Sequence, residues 1–327
     1  MSTGIAKHNY HMLANFFTKA YPYIKRTLKD PRWAIMFVLA RLRVSYPLIA
    51  FLLNQLRRNE ASYTNEGSLF QNLDVDLAVK ALKQDGCSLG LELPPDVLAE
   101  ILSYAEAANC YGEQDPRYGF RYAKREEAEK FYGKEFMRGE YLNTVSECPA
   151  IAKLARDPKL YEIARKYFGV KPVFMSTRMW WNFDIGDADR DLSEGARTFH
   201  YDVDDYRCLA FFFYLTDVGE REGEHVCAKG SHNRKKFRHY FAFGNRNLPD
   251  REISDFYGPE NLISIYGKAG QGFVEDKFTY HKATSPSGTD RLILYFQFGV
   301  FDYGVNNCVD PQLLSQWEEG SQPELVR

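Results

Sequence analysis

Short apolar runs rich in aromatic residues alternate with glycine and aspartate through the second half of the chain. These runs lie at 171–183, 207–218, 223–231, 261–267, 270–276 and 290–301. Strands bounded by turn residues have this pattern, and a series of them favours a β-sandwich or jelly roll. The sequence therefore predicts a mainly β core.

The residues before this core carry helical patterns. Residues 75–85 have apolar positions at helical spacing and stop at the Asp-Gly pair 85–86, and 94–108 begin with prolines and an acidic residue. These are stop and start signals of helices, and 87–93 between them are predicted to form a short strand. Residues 112–140 are charged and aromatic, so we expect a surface helix or a lid there. The predicted fold class is α+β, mainly β with flanking helices.

Residues 33–56 form the most apolar segment of the chain. A membrane-spanning helix needs ~20 mostly apolar residues, and charges near its centre are costly. Arg41 and Arg43 lie in the middle of this segment and Pro47 follows, so a simple transmembrane helix is rejected. Two interpretations stay open: helices packed against the body of the protein, or an interfacial segment held by basic flanks. The two arginines do not share one helical face, which favours packed helices.

Charge is divided unevenly along the chain. The formal net charge of all 327 residues is −2, which gives no indication of nucleic-acid binding. Residues 1–66, however, contain ten lysines and arginines against three acidic residues. A basic segment on an acidic body is typical of proteins with an anionic partner or a membrane surface. Peripheral membrane contact through residues 1–66 therefore stays open.

Six cysteines are scattered along the chain with no CxxC pair. In a chain of this length they are expected to be reduced core thiols rather than a disulfide framework. The opening residues lack the continuous apolar stretch of a secretory signal. We expect a cytoplasmic protein, with membrane-peripheral association left open.

His200 and Asp202 stand two residues apart just before the strand predicted at 207–218. In extended backbone, residues i and i+2 point to the same face, so an imidazole and a carboxylate could close on one metal ion. A surface pair would look the same, and a lone His-x-Asp often arises by chance. Later in the chain, His281 offers a second imidazole, and Arg291, ten residues after it, offers a guanidinium.

Two histidines and one carboxylate on one face leave three positions of an octahedral metal open. Such a facial triad suits Fe(II) that has to bind a chelating co-substrate and oxygen. The guanidinium of Arg291 can hold the far carboxylate of a dicarboxylic acid through two hydrogen bonds. A structural salt bridge is the alternative role for this arginine.

Four motifs follow one another along the chain: FHYD, GEHVCAKGSH, AGQGFVED and YHKATSPSGTDR. Their order resembles the phytanoyl-CoA dioxygenase family of Fe(II)/2-oxoglutarate oxygenases. The resemblance covers approximately residues 70–302 and implies a double-stranded β-helix, a cupin-like jelly roll. It also implies that His200, Asp202 and His281 bind the iron and that Arg291 binds 2-oxoglutarate.

The resemblance implies the reaction as well. 2-Oxoglutarate and O2 are the expected co-substrates, and an unactivated C–H of a small-molecule or lipid-like substrate is hydroxylated with release of succinate and CO2. Asp202 favours hydroxylation, because halogenating relatives replace this carboxylate with a small residue. Two rival functions stay open: a facial-triad iron enzyme that does not use 2-oxoglutarate, and a non-catalytic jelly-roll binding protein.

Departures from the family pattern leave the substrate open. Phe199 replaces the common Trp, Lys229 stands at the Pro position before Gly-Ser-His, and Gln271 interrupts the usual Gly-Asp turn. None of these three residues is a predicted ligand.

The strand predicted at 171–183 has one face that, in related enzymes, contacts 2-oxoglutarate. By parity, this face carries Ser176, Arg178, Trp180 and Asn182. The opposite face is expected in the core, with Met175, Thr177, Met179 and Trp181.

These patterns divide the chain into three segments. Residues 1–66 are predicted to form a basic helical N-terminal extension, residues 67–305 the double-stranded β-helix domain, and residues 306–327 a C-terminal tail.

Overall fold

The computed structural model of the chain describes residues 23–42, 45–56, 67–186, 198–240, 247–304, 309 and 311–314. The predicted N-terminal extension and C-terminal tail therefore lie partly outside the described residues. The boundaries at residues 66 and 305 stay predictions.

Eleven β-strands lie within the described residues. Their bounds are β1 Cys87–Glu92, β2 Asn109–Gly112, β3 Gly119–Arg121, β4 Arg138–Tyr141, β5 Val173–Asn182, β6 Cys208–Tyr214, β7 His225–Ala228, β8 Leu262–Ile265, β9 Gln271–Asp276, β10 His281–Ala283 and β11 Arg291–Gly299. Eight strands form one sheet in the order β1-β9-β6-β11-β5-β4-β2-β3, and three form a second sheet in the order β10-β7-β8. Neighbouring strands are antiparallel in both sheets.

Helices come before the second half of the chain and between its strands. Residues 23–29 are helical and are called α1. The bounds of the other helices are α2 Pro31–Leu39, α3 Tyr46–Leu56, α4 Val75–Asp85, α5 Pro95–Ala107, α6 Arg125–Tyr132, α7 Thr144–Glu147, α8 Pro149–Leu154, α9 Pro158–Phe168, α10 Phe237–Tyr240 and α11 Asp250–Tyr257.

The ends of α4 show how local sequence sets these elements. The Asp74 carboxylate accepts hydrogen bonds from the backbone N–H groups of Asp76 and Leu77, which satisfies donors that the first helical turn leaves free. The helix ends at Gly86, whose φ of 84° suits glycine. A Cβ at Gly86 would lie 2.4 Å from Oγ1 of Thr279. This turn therefore packs directly against the segment that leads into β10.

The central strands of the eight-stranded sheet, β6 and β11, are buried on both faces. In β6, Leu209, Phe211 and Phe213 pack with helical residues in one apolar cluster. Phe212 and Tyr214, which alternate with them, pack with residues of the three-stranded sheet. Continuous apolar strands are expected where both faces of a sheet are covered. The two antiparallel sheets with helices on the outer face are consistent with the predicted jelly roll.

The runs predicted as strands in the second half contain β5, β6, β7, β8, β9 and β11, and the two predicted helices are α4 and α5. The prediction for 112–140 is wrong in part. This range contains helix α6, but it also contains β3 and β4, which extend the eight-stranded sheet. Glu140 of β4 is only 1% exposed, because its carboxylate pairs with Arg178 on β5. A local pattern does not reveal such a distant partner.

Helices α2 and α3 pack against the rest of the protein. Trp33, Met36 and Phe37 of α2 belong to an apolar cluster beside the three-stranded sheet. Tyr46 and Leu53 of α3 join the cluster on the helical face of the eight-stranded sheet. This agrees with the interpretation that the apolar segment packs on the body. Within the described ranges, no helix is long and apolar enough to cross a membrane.

Candidate metal centre and its cavity

The structure brings His200, Asp202 and His281 together. Their potential ligand atoms all lie within 4.8 Å of one another. The backbones of His200 and His281 exchange two N–H to carbonyl hydrogen bonds of 2.9 Å, and the N–H of Asp202 donates to the Lys277 carbonyl over 2.8 Å. Because these pairings join the segment after residue 198 to the segment around β10, residues 75 positions or more apart in sequence become neighbours.

Backbone carbonyls fix the tautomers of both histidines. Nδ1 of His200 lies 2.9 Å from the Thr198 carbonyl, and Nδ1 of His281 lies 3.0 Å from the Thr279 carbonyl. A carbonyl oxygen only accepts, so both Nδ1 atoms carry the proton and both Nε2 lone pairs are free to bind a metal. Burial lowers the pKa of His200 to about 4, with a further contribution from His281. The His200 imidazole is therefore neutral at physiological pH.

The donor set fits a divalent first-row metal. Two neutral imidazoles and one carboxylate are the ligands of the facial triad found around non-haem Fe(II), and they leave coordination positions for a chelating co-substrate. Within the described part of the chain, this is the one group of three or more His, Cys, Asp or Glu side chains close enough together to share a metal ion. His232 lies elsewhere, with Nε2 3.3 Å from the Lys83 carbonyl.

Glu275 supports His281 from behind the triad. Its side chain is fully buried, with one carboxylate oxygen 2.6 Å from Nε2 of His225. The other oxygen lies 2.8 Å from Nδ1 of His281, but the angle of that N–H favours the Thr279 carbonyl as acceptor. Burial acts to raise the pKa of the Glu275 carboxyl, yet the imidazoles of His281 and His225 lower it overall. Glu275 therefore contributes negative charge that orients His281.

Lys277 contacts Asp202 directly. Its Nζ lies 2.5 Å from Oδ2 of Asp202, and the residue is only 7% exposed. Burial acts to lower the pKa of the Lys277 ammonium, but Asp202 and Glu275 raise it overall. The ammonium therefore balances the carboxylate charge of the site. Neither Lys277 nor Glu275 could be recognised from the sequence, because each acts on a residue distant in sequence or on another strand.

A cavity of about 530 Å³ opens between the two sheets, and all three triad residues line it. The face of β5 predicted to contact 2-oxoglutarate also lines this cavity, with Ser176, Arg178, Trp180 and Asn182. Of the opposite face, Met179 and Trp181 lie in the apolar core, as expected. Met175 departs from that prediction, because it also lines the cavity. A shift of register between β5 and β11 lies next to Met175.

Arg291 begins β11 in the wall of this cavity. Its side chain is 3% exposed, and its Nη groups donate to neutral oxygens, the Gly223 carbonyl and, over 2.5 Å, Oδ1 of Asn182. Its buried Nε has no hydrogen-bond partner among the described atoms. Burial lowers the pKa of the guanidinium, so a bound carboxylate would stabilise it. These partners do not form the structural salt bridge that was the alternative role for Arg291.

Two further arginines lie near Asn182 in the cavity wall. Strand register places Arg138 of β4 and Arg291 of β11 on either side of Asn182. Arg178 binds Glu140 through two hydrogen bonds of 2.8 and 2.5 Å, so its charge is balanced. The buried Nε of Arg138, in contrast, lacks a partner among the described atoms. The structure thus adds Arg138 as a candidate contact for substrate, which the sequence had not indicated.

Asp204 is a second carboxylate in the cavity. It accepts a hydrogen bond of 2.9 Å from Nε2 of Gln297, whose Oε1 accepts one of 3.1 Å from Ser176. Burial and the nearby Asp202 raise the pKa of the Asp204 carboxyl. The spacing His200-x-Asp202-x-Asp204 was a signal in the sequence that could have pointed to it, since all three share one parity in extended backbone.

No protein-family model matches the chain, and no curated protein matches it either. Membership of the phytanoyl-CoA dioxygenase family therefore stays a prediction.

Several solved structures are similar to this chain at low identity. The epimerase SnoN in complex with Fe3+, alpha ketoglutarate and nogalamycin RO is 14% identical, with a TM-score of 0.48 over 76% of this chain and 92% of that chain. HygX from Streptomyces hygroscopicus with nickel, 2-oxoglutarate and hygromycin B is 15% identical, with a TM-score of 0.45 over 72% and 93%. EctD from S. alaskensis with 2-oxoglutarate and 5-hydroxyectoine is 15% identical, with a TM-score of 0.44 over 72% and 78%. At these values a shared activity does not follow, so function has to be argued from the site.

Proposed function

We propose that this protein is a non-haem Fe(II)/2-oxoglutarate-dependent dioxygenase with a double-stranded β-helix core. It hydroxylates an unactivated C–H of a small-molecule or lipid-like substrate and releases succinate and CO2. One observation carries the proposal: the triad of His200, Asp202 and His281 shares a cavity with Arg291, a buried guanidinium whose described partners are neutral.

The triad residues would hold the metal. His200 and His281 offer Nε2, since both Nδ1 atoms are engaged by carbonyls, and Asp202 offers a carboxylate oxygen. Bound iron, together with 2-oxoglutarate and O2, supplies the oxidising chemistry that no amino-acid side chain provides. Lys277 balances the charge of Asp202, and Glu275 orients His281.

Arg291 would bind the carboxylate of 2-oxoglutarate that is distant from the metal. A guanidinium fork matches a carboxylate, and the pairing is strong where water is excluded. Asn182 holds the Nη2 side of this fork and is itself fixed by the indole N–H of Trp180, which donates to Oδ1 over 2.9 Å. This preorganised arginine favours a 2-oxoglutarate-dependent enzyme over the rival that uses the triad without this co-substrate.

The side chains of the cavity wall also determine where water is excluded and how a substrate is oriented. Phe212, Ile293 and Tyr295 line it on the side of the eight-stranded sheet, so they exclude water from the region beside the triad. Asp204 presents a carboxyl group and Arg138 a guanidinium group to the same space. They are suited to orient polar groups of a substrate so that one C–H points towards the metal.

Succinate formation tests this proposal. Full-length protein with Fe(II), 2-oxoglutarate and O2 is expected to form succinate slowly even without substrate, and Asp202→Ala is expected to abolish it. Asp255→Ala, which removes an exposed carboxylate on α11, serves as the matched control and should behave like wild type. Wild-type protein that neither forms succinate nor binds 2-oxoglutarate would support the non-catalytic rival instead.

A further inference from the structure

The helices before residue 57 expose an unusual share of apolar side chains. Fourteen large hydrophobic residues are exposed in the described part of the chain, and nine of them lie on or next to α1, α2 and α3. These nine residues, called here the α1–α3 apolar surface, are Ile24, Leu28, Ile35, Val38, Leu42, Leu48, Phe51, Leu52 and Leu56. Large exposed apolar side chains gathered on three helices that follow one another in the chain are typical of an interaction site.

In α3, the exposed apolar residues follow helical spacing. Leu48, Phe51, Leu52 and Leu56 stand at i, i+3, i+4 and i+8, which places them on one face. Each is 51% to 82% exposed. The buried Leu53 lies on another face, against the core. Helix α3 is therefore apolar both towards the protein and away from it.

In α2 and the turn after it, the same division recurs. Trp33, Met36 and Phe37 pack inward, whereas Ile35 and Val38 are 59% and 49% exposed. A helix that is apolar all round is normally covered on all sides.

Arg41 does not interrupt this surface, although the sequence, in which Arg41 and Arg43 do not share one helical face, favoured packed helices over an interfacial segment. The side chain is 1% exposed, its guanidinium lies 3.9 Å from the centre of the Phe37 ring, and Nη1 donates to the Phe37 carbonyl. The charge is thus turned towards the inner face of α2. The other arginine of that argument, Arg43, lies outside the described residues.

The described residues of 23–42 carry a net positive charge. Asp30 is the only acidic residue in the described part of 23–56, and it pairs with Arg32 over 2.6 Å. Lys25, Arg26 and Lys29 are exposed on α1. Apolar residues with basic neighbours are typical of helices that lie in the interface of an anionic membrane. Self-association through this surface would bring two sets of basic residues together, which their repulsion opposes.

We propose that the α1–α3 apolar surface docks the protein on an anionic lipid bilayer, with α3 lying in the interface. The cavity described above adjoins the α1 part of this surface, because Arg26 of α1 lines the cavity on the same helix as Ile24 and Leu28. Docking through α1 would therefore bring this end of the cavity close to the membrane, where apolar substrates concentrate. The docking itself does not depend on the reaction proposed for the site.

Vesicle flotation of the full-length protein tests this inference. Wild type is expected to float with vesicles of phosphatidylcholine and phosphatidylglycerol in equal parts, to float poorly with phosphatidylcholine alone, and to be released by salt. The double variant F51E/L52E is expected to lower the partition coefficient about tenfold or more, because it removes apolar area and adds negative charge. The matched control is L77E/L89E, which makes the same changes at residues 63% and 55% exposed on α4 and β1.

Folding and self-association are checked on the same proteins. F51E/L52E should unfold at the wild-type temperature, since both side chains are more than half exposed, and L77E/L89E should float like wild type. The inference is overturned if wild type does not float, if both double variants float equally, or if light scattering shows a dimer that F51E/L52E dissociates. None of these outcomes depends on 2-oxoglutarate turnover.

Discussion

Lys277 places its ammonium group 2.5 Å from Oδ2 of Asp202, inside a cavity that a divalent metal would share. In the metal-free protein this ammonium is the cation that balances Asp202. A bound metal would place a second cation beside the same carboxylate. The metal and the Lys277 ammonium would then both stabilise the negative charge of Asp202. The effect of removing Lys277 should therefore depend on whether metal is bound.

For Lys277→Met, we predict that the free energy of unfolding of the metal-free protein falls by about 1–3 kcal/mol, because Asp202 loses its charged partner. Saturating Mn(II) should remove most of that difference. Urea unfolding with chelator and with Mn(II) measures both values. Lys268→Met is the control, since its exposed pair with Asp217 should contribute less than about 1 kcal/mol. Equal stability of wild type and Lys277→Met in chelator would contradict the prediction.

His200 gives the metal-free protein a pH dependence. Burial lowers its pKa from 6.5 to about 4 in the folded protein, so between these values the unfolded chain binds more protons. Stability contributed by neutral His200 is therefore present above pH 6.5 and is lost as pH falls towards 4. The full loss would be up to about 3 kcal/mol.

The check is a comparison with His200→Gln, which does not titrate. In chelator, the difference in unfolding free energy between wild type and His200→Gln should change as pH is lowered through this window, with wild type losing more. A difference that is constant with pH would show that the buried imidazole is already charged or that it is well hydrated.

At the scale of elements, the turn between α4 and β1 supports the segment that carries His281. The Gly86 carbonyl accepts hydrogen bonds from the N–H of Asp276 over 2.8 Å and from Oγ1 of Thr279 over 3.3 Å. Thr279 in turn accepts the Nδ1–H of His281. Two segments separated by almost 200 residues are thus joined at one glycine.

Gly86→Ala should therefore disturb both stability and metal binding. Its φ of +84° is unfavourable for alanine, and the new Cβ would lie 2.4 Å from Thr279 Oγ1 and 2.7 Å from His232 Nδ1. We predict a loss of about 2–4 kcal/mol of unfolding free energy and weaker Mn(II) binding. Gly133→Ala is the matched control, because Gly133 has a φ of +62° but a Cβ there would meet open space. We expect this variant to lose about 1–2 kcal/mol of unfolding free energy and to keep its metal affinity. Equal effects of the two variants would contradict the contact argument.

The local sequence pattern was sufficient to predict those elements whose own residues carry the signal for a strand or a helix. β5, β6, β9 and β11 alternate or are continuously apolar, and α4 has its own cap and terminal glycine. Strands β2 to β4 were missed because their burial depends on distant partners. Gly139 of β4 is one example, since a Cβ there would lie 2.9 Å from both Cys110 Sγ and a ring atom of Phe183.

At the scale of the whole molecule, the site is assembled from both sheets. His281 belongs to β10 in the three-stranded sheet, and Arg291 begins β11 in the eight-stranded sheet. The separation of metal and guanidinium is therefore set by how the sheets pack, which burial of Phe212, Tyr214 and Phe273 between them maintains. The sequence could predict His200, Asp202, His281 and Arg291 as a group only through their order in a family-like series of motifs.

The roles of Lys277, Glu275 and Arg138 in the site could not be predicted from the order of motifs. Lysine, glutamate and arginine in a sequence are most often surface residues. Their burial follows from partners on other strands, as in the contacts of Glu275 with His225 and His281. The same holds for Arg41, whose inward orientation changed the interpretation of the apolar N-terminal segment.

The proposed function requires that a triad-bound metal and Arg291 hold 2-oxoglutarate together, and calorimetric titration of 2-oxoglutarate into the Mn(II)-loaded protein measures this binding. We predict that wild type binds 2-oxoglutarate only with metal present. Arg291→Lys should weaken this binding about tenfold or more, the effect of losing ~1.5–3 kcal/mol of charge-assisted hydrogen bonding, and should leave Mn(II) affinity unchanged. Arg138→Gln should bind like wild type. Equal 2-oxoglutarate affinity with and without metal, or in wild type and Arg291→Lys, would contradict the proposed function.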